Sequence, residues 1–281
     1  MLRRKCILRA TRSLIQQITP PIIHSALGKV AARARKPRAR RNSIEMGGRT
    51  LRVHPDSYWT LAHFYGTHAQ STEQMGEFLK LAQGAKRLLD LGALHGVFAL
   101  TFAARGGTAL AVEASPIAFA LLLYNIHANP DLAIKPIECA VSDRTGGELG
   151  MQLGSNQFAV ATLGDRDIAV PRMTGDDICQ RNAFEPDIIK VDIEGHEAHA
   201  LAGLHRVINV GRPTLFLETH PGLYEVEHLD AELKWLSTLG YRSVSGPAIE
   251  TIAGISDVPA VRTVLASAPP GSVPSEEIVL A

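Results

Sequence analysis

The chain has 281 residues, 46% of them hydrophobic, which predicts one large domain with extensions rather than two domains. No apolar run approaches the ~20 residues that a transmembrane helix needs. The three cysteines are far apart, which argues against a disulfide framework and a cysteine-based metal site. These features favour a reducing compartment, and we expect a cytoplasmic protein.

The positive charge is concentrated in the N-terminal arm, residues 1–44. This arm holds twelve Lys and Arg and no acid, so within an overall charge of +1 the remaining residues carry −11. Three interpretations stay open: weak contact with an anionic membrane or nucleic acid, an organelle transit peptide, or a disordered extension without a specific partner. A secretory signal is excluded, because no uninterrupted apolar segment follows the basic start.

Residues 45–85 are predicted to form a hairpin and helices that cover the pocket of the following domain. The stretch 43–53 is typical of a β-hairpin that turns at Gly47-Gly48. The segment 58–65 is rich in aromatic residues. We interpret it as a helix or loop that packs on a sheet edge, in preference to a set of aromatic side chains that binds the substrate. Apolar residues at helical spacing predict a helix over 73–83.

A nucleotide-binding βαβ unit is predicted over residues 86–113. A short apolar run ends at Asp90, the spacing Gly92-x-x-x-Gly96 follows, and a second apolar run ends at Glu113. Glycines permit a sharp turn and close approach of the backbone to a ligand. An acid at the end of the second strand can accept both hydroxyls of a ribose. The order of these parts favours a cofactor site over tight helix–strand packing alone.

Strands alternate with helices over residues 86–267, which predicts an α/β fold with a doubly wound, mainly parallel, seven-stranded sheet. The predicted strands cover 87–91, 108–113, 135–141, 186–191, 212–217, 241–244 and 261–266. The predicted helices cover 96–105, 116–127, 174–182, 195–207 and 229–238. Residues 144–170 are Gly-rich and predicted to be irregular, with a hairpin around Gly164 and a strand into Ala169-Val170. Residues 268–281 are predicted to form a flexible tail.

Polar side chains collect at the ends of the predicted strands, where open α/β sheets bind their ligands. They are Asp90, Glu113, Ser142, Asp143, Asp192, Glu194, Glu218 and His220. We expect Glu113 to accept hydrogen bonds from the ribose of a cofactor. Ser142 and Asp143 are alternative acceptors for an adenine amine, and the sequence does not choose between them.

A second group of polar side chains is expected over the two later strand ends. Residues two apart on a strand lie on the same side, so Asp192 and Glu194 can meet Glu218 and His220 from the neighbouring strand. Glu197 lies at the start of a predicted helix, where the helix dipole favours a carboxylate. We therefore interpret Glu197 as a cap rather than a catalyst.

Four segments resemble the FkbM family of S-adenosylmethionine-dependent methyltransferases. Residues 89–96 are similar to its Asp-x-Gly-Ala-Asn-x-Gly loop, and residues 112–116 to its Val-Glu-Pro-x-Pro strand end. Residues 189–197 are similar to its signature Lys-Ile-Asp-Val-Glu-Gly-x-Glu, and residues 217–220 to its paired acid and histidine. The resemblance covers about residues 86–245, and the similar segments follow one another in the same order as in the family.

The resemblance implies a Rossmann-like class I methyltransferase fold with S-adenosyl-L-methionine as the cofactor. The residues expected to bind this cofactor are Asp90, Gly92, Ala93, His95, Gly96, Glu113, Ser142 and Asp143. One departure is Leu94, which stands where the family usually has Asn. If that Asn contacts the methionine end of the cofactor, this chain loses the contact or uses His95 instead.

Methyl transfer to a hydroxyl needs a group that removes the proton, and the candidate catalytic residues are His220, Asp192 and Glu218. His220 is the first choice, because an imidazole has a neutral form near pH 7, and Asp192 is the second. The same side chains can hold a divalent cation that acidifies the hydroxyl. We assign no metal from the sequence, because loop carboxylates cluster for other reasons as well.

The sequence therefore predicts an S-adenosylmethionine-dependent O-methyltransferase acting on a hydroxyl of a small molecule or glycan, an acceptor class that only the resemblance implies. One alternative is a nucleic-acid methyltransferase guided by the basic arm. The acidic body and the lack of an Asp/Asn-Pro-Pro-Tyr-like stretch disfavour it. A second alternative is a dehydrogenase, which the Gly-x-x-x-Gly spacing disfavours. A third is a non-catalytic binding protein with a vestigial pocket, which Leu94 alone supports.

Overall fold

The computed structural model describes residues 41–153, 161–163, 168–220, 223, 225–255, 258 and 260–267. The predictions for the basic arm up to residue 40, for Gly164 and for the tail 268–281 lie outside these residues. None of the described helices is both long enough and apolar enough to cross a membrane.

The described strands and helices alternate along most of the chain. The strands are β1 (Ser43–Met46), β2 (Arg49–Arg52), β3 (Arg87–Leu91), β4 (Thr108–Glu113), β5 (Ile134–Glu138), β6 (Ala140–Val141), β7 (Glu148–Leu153), β8 (Ala161–Leu163), β9 (Ile168–Met173), β10 (Ile188–Val191), β11 (Thr214–Thr219), β12 (Tyr241–Ser245) and β13 (Val261–Ser267). The helices are α1 (Tyr58–Ala62), α2 (Ala69–Leu81), α3 (Val97–Ala104), α4 (Pro116–His127), α5 (Gly175–Arg181), α6 (Glu197–Ala202), α7 (His205–Gly211) and α8 (Val226–Thr238). A π-helical turn at His63–Thr67 follows α1, and a 3₁₀ turn covers Ile252–Gly254.

The central sheet has seven strands in the order β12-β13-β11-β10-β3-β4-β5. β13 runs antiparallel to both of its neighbours, and the other neighbouring pairs are parallel. This order confirms the predicted α/β fold with a doubly wound, mainly parallel sheet. The strand order reverses its direction between β3 and β10, and the carboxyl ends of strands at such a point open a crevice for ligands.

Successive side chains of the central strands point into two apolar layers. Leu89 and Leu91 of β3 pack in the layer that contains α6 and α8, whereas Leu88 packs in the layer that contains α2 and α3. Every residue of β10 is buried, as expected for a parallel strand that is covered on both faces. The crevice at the strand ends is therefore held by a sheet with helices on both sides.

The predicted third strand, 135–141, is wrong as a single element. Its first part is β5 of the central sheet, and its last part is β6 of a second sheet with the order β6-β9-β7-β8. The prediction of an irregular stretch from 144 is also wrong, because β7 lies there and pairs with both β8 and β9. The strand predicted into Ala169-Val170 is confirmed as β9. The predicted hairpin around Gly164 lies outside the described residues, and β8 and β9, which flank it, both pair with β7. Their common partner is earlier in the chain, so the local pattern did not reveal it.

The predicted continuous helix over 195–207 is wrong, because the helix is interrupted between α6 and α7. The carbonyl oxygen of Gly203 accepts a hydrogen bond from the N–H of Asp176 at 2.8 Å. The carboxylate of Asp176 then accepts the N–H groups of Arg206 and Val207, each at 2.9 Å. α7 thus receives its N-terminal cap from α5, a segment that is distant in sequence.

The N-terminal hairpin and helices pack in the layer that contains α3. The predicted hairpin is confirmed as β1 and β2. α2 begins at Ala69, earlier than the predicted Glu73, because the side chain of His68 caps it. Phe78 of α2 packs edge-on against Phe98 and Phe216, with ring centroids 4.9 and 5.8 Å apart. This packing places α2 close to the end of β11.

Candidate active site

The loop between β3 and α3 contains three residues with left-handed backbone. Gly92, Leu94 and Gly96 have φ angles of 77°, 50° and 92°. A Cβ atom at Gly92 would lie 1.9 Å from the carbonyl oxygen of Asp192, and one at Gly96 would lie 2.6 Å from a methyl carbon of Leu122. Glycine is therefore required at both positions. The predicted glycine turn is present, and it brings the end of β3 against the end of β10.

Leu94 is strained in this loop, because the left-handed region costs a residue with a Cβ atom about 1–2 kcal/mol. Asn adopts this conformation more readily than Leu does. This difference explains why the sequences that this loop resembles usually have Asn at the matching position. The N–H of Leu94 donates to Oε2 of Glu113 at 2.8 Å. The departure at Leu94 therefore changes the strain of the loop and leaves its hydrogen bond to Glu113 in place.

Glu113 ends β4 with both carboxylate oxygens already bound to backbone amides. Oε2 accepts the N–H of Leu94, and Oε1 accepts the N–H of Ser115 at 2.7 Å. Burial raises the pKa of Glu113 to about 7, although the two amide hydrogen bonds oppose the shift. The carboxylate is thus held in one orientation, and further donors from a ligand would favour its ionised form.

A cavity of about 110 Å³, open to solvent, lies beside this loop. Its wall includes Gly92, Leu94, Glu113, Asp192, Glu194 and His196. The strand ends of β4 and β10 therefore face one space. Three of the predicted site residues, Gly92, Glu113 and Asp192, meet there.

Four predicted cofactor residues lie behind the cavity wall: Asp90, Ala93, His95 and Gly96. Oδ2 of Asp90 accepts the N–H of Ala99 in α3 at 3.1 Å. Burial raises the pKa of Asp90, and the charge of Lys190 opposes that shift. Burial lowers the pKa of His95 to about 4, so its ring is neutral. Asp90 fixes the start of α3 in this arrangement, and direct contact of these four residues with a cofactor stays a prediction.

Lys190 was not among the predicted site residues, yet it joins the ends of β3 and β10. Its Nζ lies 3.2 Å from Oδ2 of Asp192 and 3.7 Å from Oδ1 of Asp90, and it donates to the carbonyl oxygen of Gly92 at 2.9 Å. Burial lowers the pKa of Lys190, but the two carboxylates outweigh burial and raise it. The sequence did contain a signal for this role, because Lys190 is a single charged residue inside the apolar run of β10.

Ser142 and Asp143 form a hydrogen-bonded group with His196. Ser142 Oγ donates to Oδ1 of Asp143 at 2.9 Å, and Nε2 of His196 lies 3.0 Å from the same hydroxyl, which it can reach as a donor. Burial lowers the pKa of His196 to about 4, so the ring on the cavity wall is neutral. The choice between Ser142 and Asp143 as an adenine acceptor stays open. His196, which the sequence reasoning missed, is the member of this group that reaches the cavity.

The structure brings together the polar residues that follow β10 and β11. His220 Nε2 lies 3.8 Å from Oδ1 of Asp192 and 3.6 Å from Oε2 of Glu194. One ligand-type atom from each of Asp192, Glu218 and His220 lies within 4.8 Å of the other two. We call Asp192, Glu194, Glu218 and His220 the acceptor cluster. Glu194 has a positive φ of 56°, a conformation that folds retain mainly at functional sites.

His220 is protonated at neutral pH in this arrangement. Burial lowers its pKa, but the hydrogen bond to Glu197 and the charges of Glu194 and Asp192 outweigh burial and raise the pKa to about 9. The carboxylates of the cluster thus favour the imidazolium ion over the neutral form expected near pH 7, and a catalytic role of His220 stays a prediction. The predicted role of His220 as the first-choice base loses its premise.

Two residues outside the cluster hold it in place. Oε1 of Glu197 accepts the N–H of Gly195 at 3.0 Å and Nδ1–H of His220 at 3.1 Å. Its carboxylate therefore bonds the turn before α6 and makes no cap hydrogen bond within that helix. Gln74 of α2 donates through Nε2 to Oε2 of Glu218 at 2.7 Å. The sequence offered no signal for Gln74, because its partner lies 144 residues away.

Comparison with known proteins gives one family and several distant structures. Residues 90–243, more than half of the chain, match the family described as the Methyltransferase FkbM domain. No curated protein matches the chain.

Three solved structures illustrate the distant similarity. A methyltransferase FkbM from Methylobacillus flagellatus KT is 17% identical with a TM-score of 0.43, and the match covers 74% of this chain and 53% of that protein. Precorrin-6y C5,15-methyltransferase from Geobacter metallireducens GS-15 is 11% identical with a TM-score of 0.40, covering 72% and 92%. The tRNA (uracil-54, C5)-methyltransferase of Pyrococcus abyssi, solved with S-adenosyl-L-homocysteine, is 14% identical with a TM-score of 0.40, covering 80% and 44%. The chain spans about half the length of the M. flagellatus protein.

Proposed function

Because the chain belongs to the FkbM methyltransferase family, we propose that it is an S-adenosylmethionine-dependent O-methyltransferase acting on a hydroxyl of a small molecule or glycan. The observation that carries this proposal is the shared cavity, with Glu113 on one side and Asp192 and Glu194 on the other. Methyl transfer needs the cofactor and the acceptor hydroxyl to be held in one space with a group that takes the proton.

The residues on the cofactor side fit S-adenosyl-L-methionine. Backbone amides orient the Glu113 carboxylate, and its remaining lone pairs suit the two ribose hydroxyls. His196 offers a neutral ring on the cavity wall beside Ser142 and Asp143, which are the candidate acceptors for the adenine amine. When bound, the cofactor supplies an electrophilic methyl group on its sulfonium.

We assign removal of the acceptor proton to a carboxylate of the cavity wall, Asp192 or Glu194. His220 already carries a proton at neutral pH, so it serves to position these carboxylates through its Nε2 side rather than as the first base. General base catalysis of this kind contributes about 10²–10⁴-fold to the rate. This order reverses the one expected from the sequence.

The acidic wall also bears on the class of acceptor. A cavity with several carboxylates repels phosphate groups, so it suits an uncharged hydroxyl compound better than a nucleic acid. This argument supports a small molecule or glycan, in agreement with the family resemblance.

The test has two stages. Calorimetry should detect binding of S-adenosylmethionine and S-adenosylhomocysteine to the full chain. Incubation with deuterium-labelled cofactor and a set of hydroxyl compounds and oligosaccharides, followed by mass spectrometry, should reveal a labelled O-methyl product. Lack of binding at millimolar cofactor would reject the enzyme, and a label found only on nitrogen, carbon or nucleic acid would reject the acceptor class.

A further inference from the structure

The geometry points to a divalent-cation site formed by Asp192, Glu218 and His220 of the acceptor cluster. The three side chains come from the carboxyl ends of two neighbouring parallel strands, β10 and β11. One ligand-type atom from each lies within 4.8 Å of the other two. The existence of this site does not depend on the proposed function, whereas its use in methyl transfer rests on it.

The first argument is the orientation of His220. Glu197 is buried and its Oε1 accepts both the N–H of Gly195 and Nδ1–H of His220. A bound cation would displace the second proton that His220 carries at neutral pH, and with Nδ1 still donating to Glu197 the ring would present its lone pair at Nε2. The side chain is only 10% exposed, and within the described part of the chain no hydrogen bond reaches Nε2. A carboxylate that fixes one ring nitrogen and aims the other is the usual support of a histidine metal ligand.

The second argument is distance. Nε2 of His220 lies 3.8 Å from Oδ1 of Asp192, which exceeds the 2.7–3.2 Å or so of an N–H···O hydrogen bond. Two ligand atoms that each lie about 2.1 Å from one octahedral ion are about 3.0 Å apart when adjacent and about 4.2 Å apart when opposite. The observed gap lies between these limits, so one cation can bridge the two atoms. One carboxylate oxygen of Glu218 lies within 4.8 Å of the ligand atoms of the other two residues.

The third argument is that each carboxylate ligand has one oxygen held and one oxygen free for the ion. Lys190 lies 3.2 Å from Oδ2 of Asp192, so that Oδ1 faces His220. Gln74 donates to Oε2 of Glu218, which leaves Oε1 for a ligand. The ligands are thus oriented before any ion arrives, which reduces the entropy lost on binding.

The cluster is rich in carboxylates, which favours a cation between these atoms. Asp192, Glu194, Glu197 and Glu218 surround His220, and Lys190 and Arg262 contribute positive charge nearby. One imidazole with two carboxylates suits a first-row divalent ion such as Mn²⁺ better than Mg²⁺, which prefers an all-oxygen shell. An acceptor hydroxyl on this ion becomes acidic. Its O–H bond breaks, the proton passes to Glu194 on the cavity wall, and the electron pair stays on oxygen.

The experiment is a titration of the full, metal-stripped chain with Mn²⁺ alone, without cofactor or acceptor. Electron paramagnetic resonance should count one bound Mn²⁺ per chain, and spin-echo modulation should detect one imidazole nitrogen. Asp192→Asn and His220→Gln should each weaken Mn²⁺ binding by about tenfold or more, and His220→Gln should remove the nitrogen signal. His205→Gln is the matched control, because His205 is half-exposed, pairs with Glu232 and lies outside the cluster.

Three results would overturn the site: no Mn²⁺ binding to the wild-type chain, binding without nitrogen modulation, or binding and nitrogen signal that persist in His220→Gln. If His220→Gln fails to fold, unchanged Mn²⁺ affinity in Asp192→Asn would still overturn the site. Mn²⁺ binding at this site in a protein that transfers no methyl group would retain the site and reject the proposed function. Methyl transfer by a chain that binds no Mn²⁺ would do the reverse.

Discussion

The two sides of the cavity are built on different kinds of contact. On the cofactor side, Glu113 is held by the amides of Leu94 and Ser115, both within 19 residues of it in sequence. In the acceptor cluster, the side chains are held by other side chains, such as Gln74 on Glu218 from 144 residues away. The cofactor side is thus a product of local backbone conformation, whereas the acceptor side exists only when distant segments have packed.

Lys190 is the residue that links the two sides. It contacts Asp192 in the acceptor cluster, Asp90 behind the cofactor loop, and the carbonyl oxygen of Gly92 within that loop. A buried charge of this kind ties the positions of the two strand ends together. Substitutions at Lys190, Glu113 and Leu94 can therefore test the comparison in turn.

The largest expected effect follows Lys190→Met. It leaves Asp90 buried without its cation, and removal of one partner from a buried ion pair costs about 3–5 kcal/mol in the free energy of unfolding. Urea unfolding followed by circular dichroism measures this loss. The control is Lys234→Met, since Lys234 is exposed and pairs with Asp230 on the same helix, and a change within about 0.5 kcal/mol is expected there. Equal effects of the two substitutions would show that Lys190 does not link the two sides.

Glu113→Ala should break the cofactor side alone. Loss of the charge-assisted hydrogen bonds to the ribose should weaken cofactor binding by about 1.5–3 kcal/mol, measured by calorimetry with S-adenosylhomocysteine. Glu138→Ala is the matched control, because Glu138 is the register partner of Glu113 on the neighbouring strand and is not part of the cavity wall. An unchanged dissociation constant in Glu113→Ala would remove Glu113 from the site.

The same carboxylate should make cofactor affinity depend on pH. Burial raises the pKa of Glu113 to about 7, and ribose hydroxyls donate to its ionised form. Affinity should therefore rise with pH through about 7 and fall by up to about tenfold for each pH unit below it. Calorimetry between pH 5.5 and 8 checks this, and the part of the slope due to Glu113 should vanish in Glu113→Gln. A slope that persists in the variant would assign the titration to another group.

Leu94→Asn should have the smallest effect and the opposite sign. The left-handed conformation strains Leu94, and Asn tolerates it better, so the free energy of unfolding should rise by about 0.5–1 kcal/mol. Leu94→Ala, which keeps the strain and shortens the side chain, should give no gain. Urea unfolding of both variants measures the difference. A loss of stability in Leu94→Asn would mean that packing of the Leu94 side chain outweighs the backbone strain.

Much of the fold was predictable because its signals are local. The apolar runs that end at Asp90 and Glu113, with glycines between them, predicted the βαβ unit that the structure contains as β3, α3 and β4. The failures came where one chain segment depends on another. β6 separates from β5 to join a different sheet, and α7 takes its cap from Asp176 in α5.

The candidate site divides in the same way. Strand-end position and the two-residue period of a strand were enough to predict that Asp192, Glu218 and His220 would lie near one another. The contributions of Gln74, Lys190 and His196 were not predicted. They arise from the packing of α2 on the sheet and from the close approach of the β3 and β10 loops at Gly92.

By itself, the sequence determined the family, the order of the strands along the chain and the glycine turn that holds Glu113, because these depend on residues close together in the chain. Only the tertiary structure decided the protonation of His220. An imidazole takes its pKa from its neighbours, and here burial is outweighed by Glu197, Glu194 and Asp192. The positive charge on His220 is therefore a property of the folded chain rather than of any single segment of the sequence.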